Sequence, residues 1–493
     1  MERAVVSAPL DCQYVALSYV WGGLVFKTDS TSGILPTMLP RTIEDGIKAT
    51  LLLGYRYLWV DAFCIKQDEA EDKHHQIQQM DLIYTSSVLT LIAAAGSDPS
   101  YGLPGVSNAR KLRFLNTSIG NVYLSFTPEN AHRAVASSPW FTRGWTFQEG
   151  YVARRRLYFT ESGILFVCNT AEEHEELWRH HGPAISILEG TLNSRALKVR
   201  NDGLEGIMRL LEQYMRRQLS YENDVLNAIL GVLNYHHTRN PSIGTICGLP
   251  YQTSVAGPKI VCVNWTHSRP ATRRLGYPSW SPFGWIGPVN FSPIEDQFHP
   301  SKEDAASFSG HVRDGCADWN HIETSQYLQI TVHIHHLPIV NISRSDYPIP
   351  VNWLSEHTQT KTMLALPVGG MKLNYDDPNF YTDILWDQAP PDHYDSNWVT
   401  CAVLHYNRLE SHPLMILQDH GTHYERIGLA MPCGSRSMTT IKAAGLDELA
   451  STTNGIPTLR RREGTNSYVL PISRDEEDFT WLQFAKTVTI TLG

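Results

Sequence analysis

Apolar and polar positions along the first hundred residues change period in a regular order. Tyr14-Val15-Ala16-Leu17-Ser18-Tyr19-Val20 is a β-prone apolar run ending in Trp21-Gly22-Gly23, where glycines let the backbone turn sharply or approach a ligand. Thr42-Ile43-Glu44-Asp45, preceded by Pro40, has the form of a capping box. Ile43, Ile47 and Leu51 then recur at four-residue spacing up to Gly54, which predicts a helix. Tyr57-Leu58-Trp59-Val60 predicts a second strand with Asp61 at its carboxyl end. Ile77, Met80, Ile83 and Tyr84 share one helical face, and Val88 to Ala94 predicts a third, nearly all-apolar strand. The order β-α-β-α-β implies an α/β domain, a parallel sheet flanked by helices. Such sheets receive ligands beyond the carboxyl ends of their strands, the edge from which Ser18 to Gly22, Asp61 to Gln67 and Gly96 to Gly105 would emerge.

Farther along, residues 205 to 235 carry helical apolar stripes, including Ile207, Leu211, Ile229 and Leu233. From about Gly248 the chain turns rich in Pro, Trp and Gly and then favours short strands. Leu328 to His336, Val399 to Tyr406, Leu414 to Leu417, Arg426 to Met431 and Thr487 to Leu492 are the candidates. The expected organisation is an α/β domain over 14–160, a mainly helical segment over 161–245 and a β-rich α+β region over 246–493. Ser343 to Asn397 is the least readable stretch.

The chain of 493 residues has ample material for a buried core, and its net charge of -9 argues against a general nucleic-acid binder. No apolar run long enough to span a membrane and no signal peptide is present, so the expected compartment is the cytoplasm. Eight scattered cysteines without a Cys-x-x-Cys pair suggest reduced thiols. His333 and His335 would share one strand face, but no thiol or carboxylate partner accompanies them at ligand spacing, so no metal site is expected. Absence of both Gly-x-Gly-x-x-Gly and Gly-x-x-x-x-Gly-Lys-Ser/Thr leaves dehydrogenase and kinase readings unsupported.

The candidate chemistry gathers around Trp140-Phe141-Thr142-Arg143-Gly144-Trp145-Thr146-Phe147-Gln148-Glu149, which sets an acid beside aromatic faces and a guanidinium. Against it stands packing, with both indoles as core anchors and Glu149 paired locally to Arg143. Cys64 is a nucleophile only if a histidine reaches it in space; otherwise it is a buried thiol under the loop. Asp61 is the better candidate, because an acid at a strand's carboxyl end lies in the ligand crevice.

Taken in order and spacing, five segments resemble the fungal heterokaryon incompatibility (HET) domain. They are Tyr14 to Gly22, Leu39 to Ile43, Tyr57 to Gln67 with Met80 to Tyr84 following, Gly102-Leu103-Pro104-Gly105, and Arg143 to Glu149. The resemblance covers residues 14 to about 160. After Glu149 the family continues with a leucine pair, a serine and an arginine, whereas this chain has Tyr151 and Ala153 in place of one leucine and the serine.

That resemblance implies a fold similar to Toll/interleukin-1 receptor (TIR) domains, some of which cleave NAD with a glutamate near a tryptophan. By this order of elements Glu149 corresponds to the catalytic acid, Ser18 to Gly22 to the first-strand loop, and Asp61 with Cys64 to the second-strand edge. Trp21 or Trp145 would stack the nicotinamide ring and Arg143 would meet the diphosphate. No cofactor is implied; NAD enters as a substrate. Three classes stay open: an NAD-consuming enzyme of an incompatibility or cell-death response, a non-enzymatic module acting through a homo-oligomer or protein partner, and an enzyme acting on another small molecule in the same cleft.

Overall fold

The computed structural model describes residues 3–22, 33–66, 69–110, 116–120, 122–125, 131–175, 203–254, 257–294, 297, 327–343, 360–366, 380–388, 398–404, 413–430, 460–461, 468–469 and 486–493. Gly23, Gln67, His405, Tyr406, Met431 and most of 343–397, which carried sequence expectations, lie outside them. The chain divides into two compact units, one comprising 1–206 with 216–241, the other 207–215 with 242–493.

The first unit is built on a sheet whose leading strands are β1 (Tyr14–Ser18), β2 (Tyr57–Trp59) and β3 (Leu89–Ala93). Between them lie α1 (Arg41–Leu52), the single turn α2 (Asp61–Cys64), α3 (Ala70–Gln78) and α4 (Met80–Ser86). A hairpin of β4 (Asn116–Ile119) and β5 (Val122–Ser125) precedes α5 (Ala131–Ala136), α6 (Pro139–Thr142) and α7 (Gly144–Val152). Then β6 (Arg155–Phe159), β7 (Ile164–Cys168) and β8 (Glu172–His174) complete a six-stranded sheet of order β2-β1-β3-β6-β7-β8. The four strands from β2 to β6 are parallel; β7 and β8 continue antiparallel, so the sheet runs past residue 160.

Parallel strands covered on both faces read as continuous apolar runs, and all five residues of β3 are buried. Val15, Leu17, Leu91 and Ala93 face the cluster that contains Ile43 and Ala49 of α1. Ile92 and Tyr158 belong instead to a cluster with Val135 and Trp140.

The expected capping box of α1 is corrected. The helix starts one residue before Thr42, behind Pro40, and no side chain caps it; Thr42 N–H donates to Pro99 O, and Thr42 Oγ1 accepts from Gly102 N. The long-range loop contact takes both groups that a capping box would have used. The buried face is Thr42, Ile43, Asp45, Gly46, Ala49 and Thr50; Ile47 packs partly buried against the same core, and Leu51 is 45% exposed. Small residues let α1 lie close on Leu17, while buried Asp45 accepts from Leu103 N at 2.9 Å and from Ser107 Oγ, holding the loop that follows β3.

Within the same unit, α9 (Asn227–Arg239), which follows α8 (Leu204–Tyr214), packs on α7 and α4. The second unit is rich in strands, as expected. Strand Leu328–Ser343 pairs along its first part with Lys486–Leu492 and with Trp398–Val403, and along its second part with Thr360–Leu366. Phe380–Trp386, Tyr424–Ala430 and Leu414–Asp419 complete this sheet. Fully buried Arg426 is its polar anchor, bound through Nε to Asp387 at 2.8 Å and through Nη1 to Val263 O at 2.7 Å.

Candidate active site

Strand order fixes where a crevice can form. β1 lies between β2 and β3, so the chain leaves it toward one side of the sheet and returns on the other, and ligands of open α/β sheets sit at such a reversal. At this edge β1 ends in Ser18, β2 runs into Asp61 at the first position of α2, and β3 runs into the loop 94–105. The fourth contributor is α7, which crosses the edge and brings Glu149 to Ser18.

Ser18 Oγ donates to Glu149 Oε2 and accepts from Trp140 Nε1 at 2.6 Å. The indole N–H is only a donor, so its bond orients the serine hydroxyl: the oxygen receives from Trp140 and the proton goes to Glu149. All three side chains are buried, Glu149 at 5% exposure. Trp140 is held by the α6 turn, which starts at Ser138 with Pro139 behind it; Ser138 Oγ accepts from Phe141 N at 3.2 Å. Gly150 is required beside it, because a Cβ there would lie 2.8 Å from the Trp140 ring.

A second acid is held by the other loops. Asp61 Oδ2 accepts from Trp21 Nε1 at 2.6 Å, and Oδ1 accepts from Ala62 N at 2.7 Å. Gly22 then turns the chain with φ of 62°, and a Cβ on it would sit 2.7 Å from Asp98 Cβ, so close approach to the β3 loop and the left-handed backbone both call for glycine.

Burial dominates the electrostatics. It pushes the Glu149 carboxyl up to about 8, with the Asp61 charge adding to the rise and the Ser18 hydrogen bond and the Arg143 charge opposing it. It pushes Asp61 up to about 6 against the hydrogen bonds from Trp21, Ala62 and Tyr19. Burial and the neighbouring Asp61 charge thus favour the protonated form of Glu149 in the free site. Such a pair of acids attracts a cation and can exchange a proton with a ligand.

Ser18, Trp21, Gly22, Asp61 and Glu149 thus come to one edge from segments far apart in the chain. Arg143, at the N-terminal boundary of α7, acts on both acids through its charge, while its Nη2 donates to Ser220 Oγ at 3.3 Å. Trp145 has its indole N–H on Asp224 at 3.3 Å. Cys64 is tucked under the α2 turn, where its Sγ accepts from Val60 N at 3.4 Å and burial pushes the thiol up to about 11. Sequence reasoning named neither Tyr19 nor Tyr84 as a site residue and gave Trp140 only the place of an aromatic or core anchor beside the acid. Trp140 had a readable signal, since Ser138-Pro139 is a helix start that fixes the next residue. Tyr84 donates to Leu17 O at 3.2 Å and is fully buried, a contact across 67 residues that no local pattern reveals.

The family model described as Heterokaryon incompatibility protein (HET) matches residues 14–149. Heterokaryon incompatibility protein 6, OR allele, of Neurospora crassa is 31% identical over 88 residues, which is 15% of this chain and 13% of that protein. The chain thus aligns with a small part of the length of that curated relative. No solved structure gives a significant match. The matched span opens with Tyr14 at the start of β1 and closes on Glu149 itself, so that residues 14–149 of this protein are a HET domain.

Proposed function

We propose that the domain cleaves the nicotinamide–ribose bond of NAD and that the protein serves an incompatibility-type response, in keeping with the name of its Neurospora relative. The observation that carries the reading is Glu149, a buried acid oriented by Ser18 and Trp140 at the crevice edge, with Asp61 as a second acid beside it. The likeness in element order to NAD-cleaving TIR domains supports it as an analogy of fold.

The chemistry asks little more. When the bond between ribose C1′ and the ring nitrogen breaks, its electron pair neutralises the pyridinium, and nicotinamide leaves without a general acid. Positive charge grows on the ribose, and a carboxylate facing it lowers the barrier. Water adds to C1′ and gives up a proton to Glu149, yielding ADP-ribose. In the free protein Glu149 is mostly protonated at neutral pH; entry of the cationic ring favours the carboxylate and expels that proton.

The test incubates purified protein with NAD and measures free nicotinamide, for the wild type and for Glu149→Gln. Release by the wild type that falls at least ~10³-fold in the variant supports the reading. Equal release by both, or none by the wild type at any protein concentration, removes it.

A further inference from the structure

We propose that Tyr84 is a positioning residue for Glu149: its hydroxyl stands between the Leu17 carbonyl and the Glu149 carboxyl and changes partner with the charge of that acid. This rests on the reading of Glu149 as the reacting acid. Tyr84 lies in α4, which packs on α7, and it is fully buried, with its ring edge-on to Trp59 at 5.4 Å. Two tyrosines tie α4 to β1, one from each side: Tyr14 Oη donates to Ile83 O at 2.6 Å, and Tyr84 Oη donates to Leu17 O at 3.2 Å. The Glu149 carboxyl is the second hydrogen-bond partner of the Tyr84 hydroxyl. Leu17 precedes Ser18, so hydroxyls from β1 and from α4 converge on one acid.

A tyrosine hydroxyl has one proton to give. Burial, with the charges of Glu149 and Asp61, keeps this phenol protonated, so it always holds that proton. While Glu149 is protonated, the carboxyl can donate to Tyr84 Oη as Tyr84 donates onward to Leu17 O. The donors then run in one direction from the Trp140 indole through Ser18, Glu149 and Tyr84 to the carbonyl. An ionised Glu149 only accepts, and a charged acceptor holds a donor more strongly than a neutral carbonyl does. The phenol therefore turns its proton to the carboxylate, which receives from Ser18 and Tyr84 together. Asp61 and Arg143 also act on this acid, but through their charges, and Tyr19 is hydrogen-bonded to Asp61. Ser18 is fixed as a donor by Trp140, so the change of partner falls to Tyr84. When water gives up its proton to Glu149, the reverse turn provides the new O–H with an acceptor.

The experiment uses the wild type, Tyr84→Phe and Glu149→Gln. In protein isotopically labelled at the tyrosine ζ-carbon, the Tyr84 NMR signal, identified by its loss in Tyr84→Phe, should move through the same midpoint as the Glu149 carboxyl. Glu149→Gln should abolish that movement. Tyr84→Phe should raise the Glu149 midpoint by about one pH unit. The rising limb of kcat/KM for NAD should move with it, a loss of about tenfold at a fixed pH on that limb, while the plateau above changes less than about threefold. A Tyr84 signal that stays level through the Glu149 transition, or a Glu149 midpoint that Tyr84→Phe leaves in place, makes the tyrosine a packing residue and overturns the proposal, whatever happens to Tm. An active wild type whose pH profile the variant matches overturns it and spares the NAD reading. A wild type that releases no nicotinamide, with the Tyr84 signal and the Glu149 midpoint moving as expected, sinks the cleavage reading and leaves the change of partner at Tyr84 in place.

Discussion

Ser18 donates to Glu149 because Trp140 donates to Ser18, so a tryptophan in α6 sets the direction of a hydrogen bond between β1 and α7. A donor fixed on the carboxyl favours its ionised form. Ser18→Ala removes that support, and the Glu149 carboxyl should then titrate about one pH unit higher. Trp140→Phe frees the serine to turn and should raise it less. Titrating the Glu149 carboxyl by NMR in the three proteins checks the order; an unmoved or lowered value in Ser18→Ala contradicts the arrangement.

The same carboxyl sets how cleavage depends on pH. kcat/KM reports the essential groups of the free protein, and the reacting form requires Glu149 ionised. With that group at about 8, kcat/KM should climb by about tenfold per pH unit through the neutral range and level off above it. A profile that is flat from about pH 6 upward would place the essential ionisation on Asp61 instead, which titrates near 6.

Stability should run the opposite way to activity. Glu149 has an ordinary value of 4.5 and about 8 in the fold, so the folded chain holds the proton more tightly than the unfolded chain. Its contribution is fully present below the lower value and is lost as pH rises through the higher one. Asp61 does the same in a lower window, from 3.8 to about 6. Above about pH 6 the remaining decline, at most ~1.4 kcal/mol per pH unit, belongs to Glu149. Glu149→Gln should therefore flatten Tm between about pH 6 and pH 8 and leave on the acid side only the part of the slope that belongs to Asp61. Parallel curves for the two proteins would mean that Glu149 is not held protonated.

Tyr151, where the family carries leucine, has a local explanation. Its hydroxyl shares a hydrogen bond of 2.6 Å with His236 Nε2 on α9, and its ring stacks on Phe147. Both polar groups are buried, so Tyr151→Phe leaves the imidazole short of a partner and should cost about 1–3 kcal/mol in chemical denaturation. Activity per folded molecule should be unchanged. A loss under about 0.5 kcal/mol would show the bond to be dispensable.

The three leading strands and the edge they share were legible because buried parallel strands are written as unbroken apolar runs, as Leu89 to Ala93 is. Ser18, Asp61 and Glu149 could be nominated from position at strand ends and from the family motifs. Their mutual geometry could not, because Ser18 meets Glu149 across 131 residues. The spacing of Ile43, Ile47 and Leu51 located α1 but not the whole of its buried face, for a related reason. Asp45 is drawn inward by Leu103 N and Ser107 Oγ, partners that arrive only when the β3 loop folds back, so a carboxylate is buried on a flank of the helix that the apolar pattern leaves unmarked. Local periodicity records which residues avoid water in a helix and is blind to polar groups satisfied from afar.

Gly150 offers a test of the Trp140 contact that does not touch any polar group. It lies inside α7, where replacing glycine by alanine ordinarily stabilises a helix by about 1 kcal/mol. Here the added Cβ would stand 2.8 Å from the indole, and Trp140 is 3% exposed with Ser18 at its nitrogen, so the ring has little room to withdraw. Overpacking of this kind costs about 1–3 kcal/mol, which outweighs the gain in helix propensity. Gly150→Ala should therefore lose stability, and a displaced indole should release Ser18, raising the alkaline midpoint of kcat/KM in the same direction as Trp140→Phe. Denaturant midpoints and the pH profile read the two effects separately. A variant more stable than the wild type, with an unmoved profile, would show that the indole does not hold Ser18 in its donating orientation.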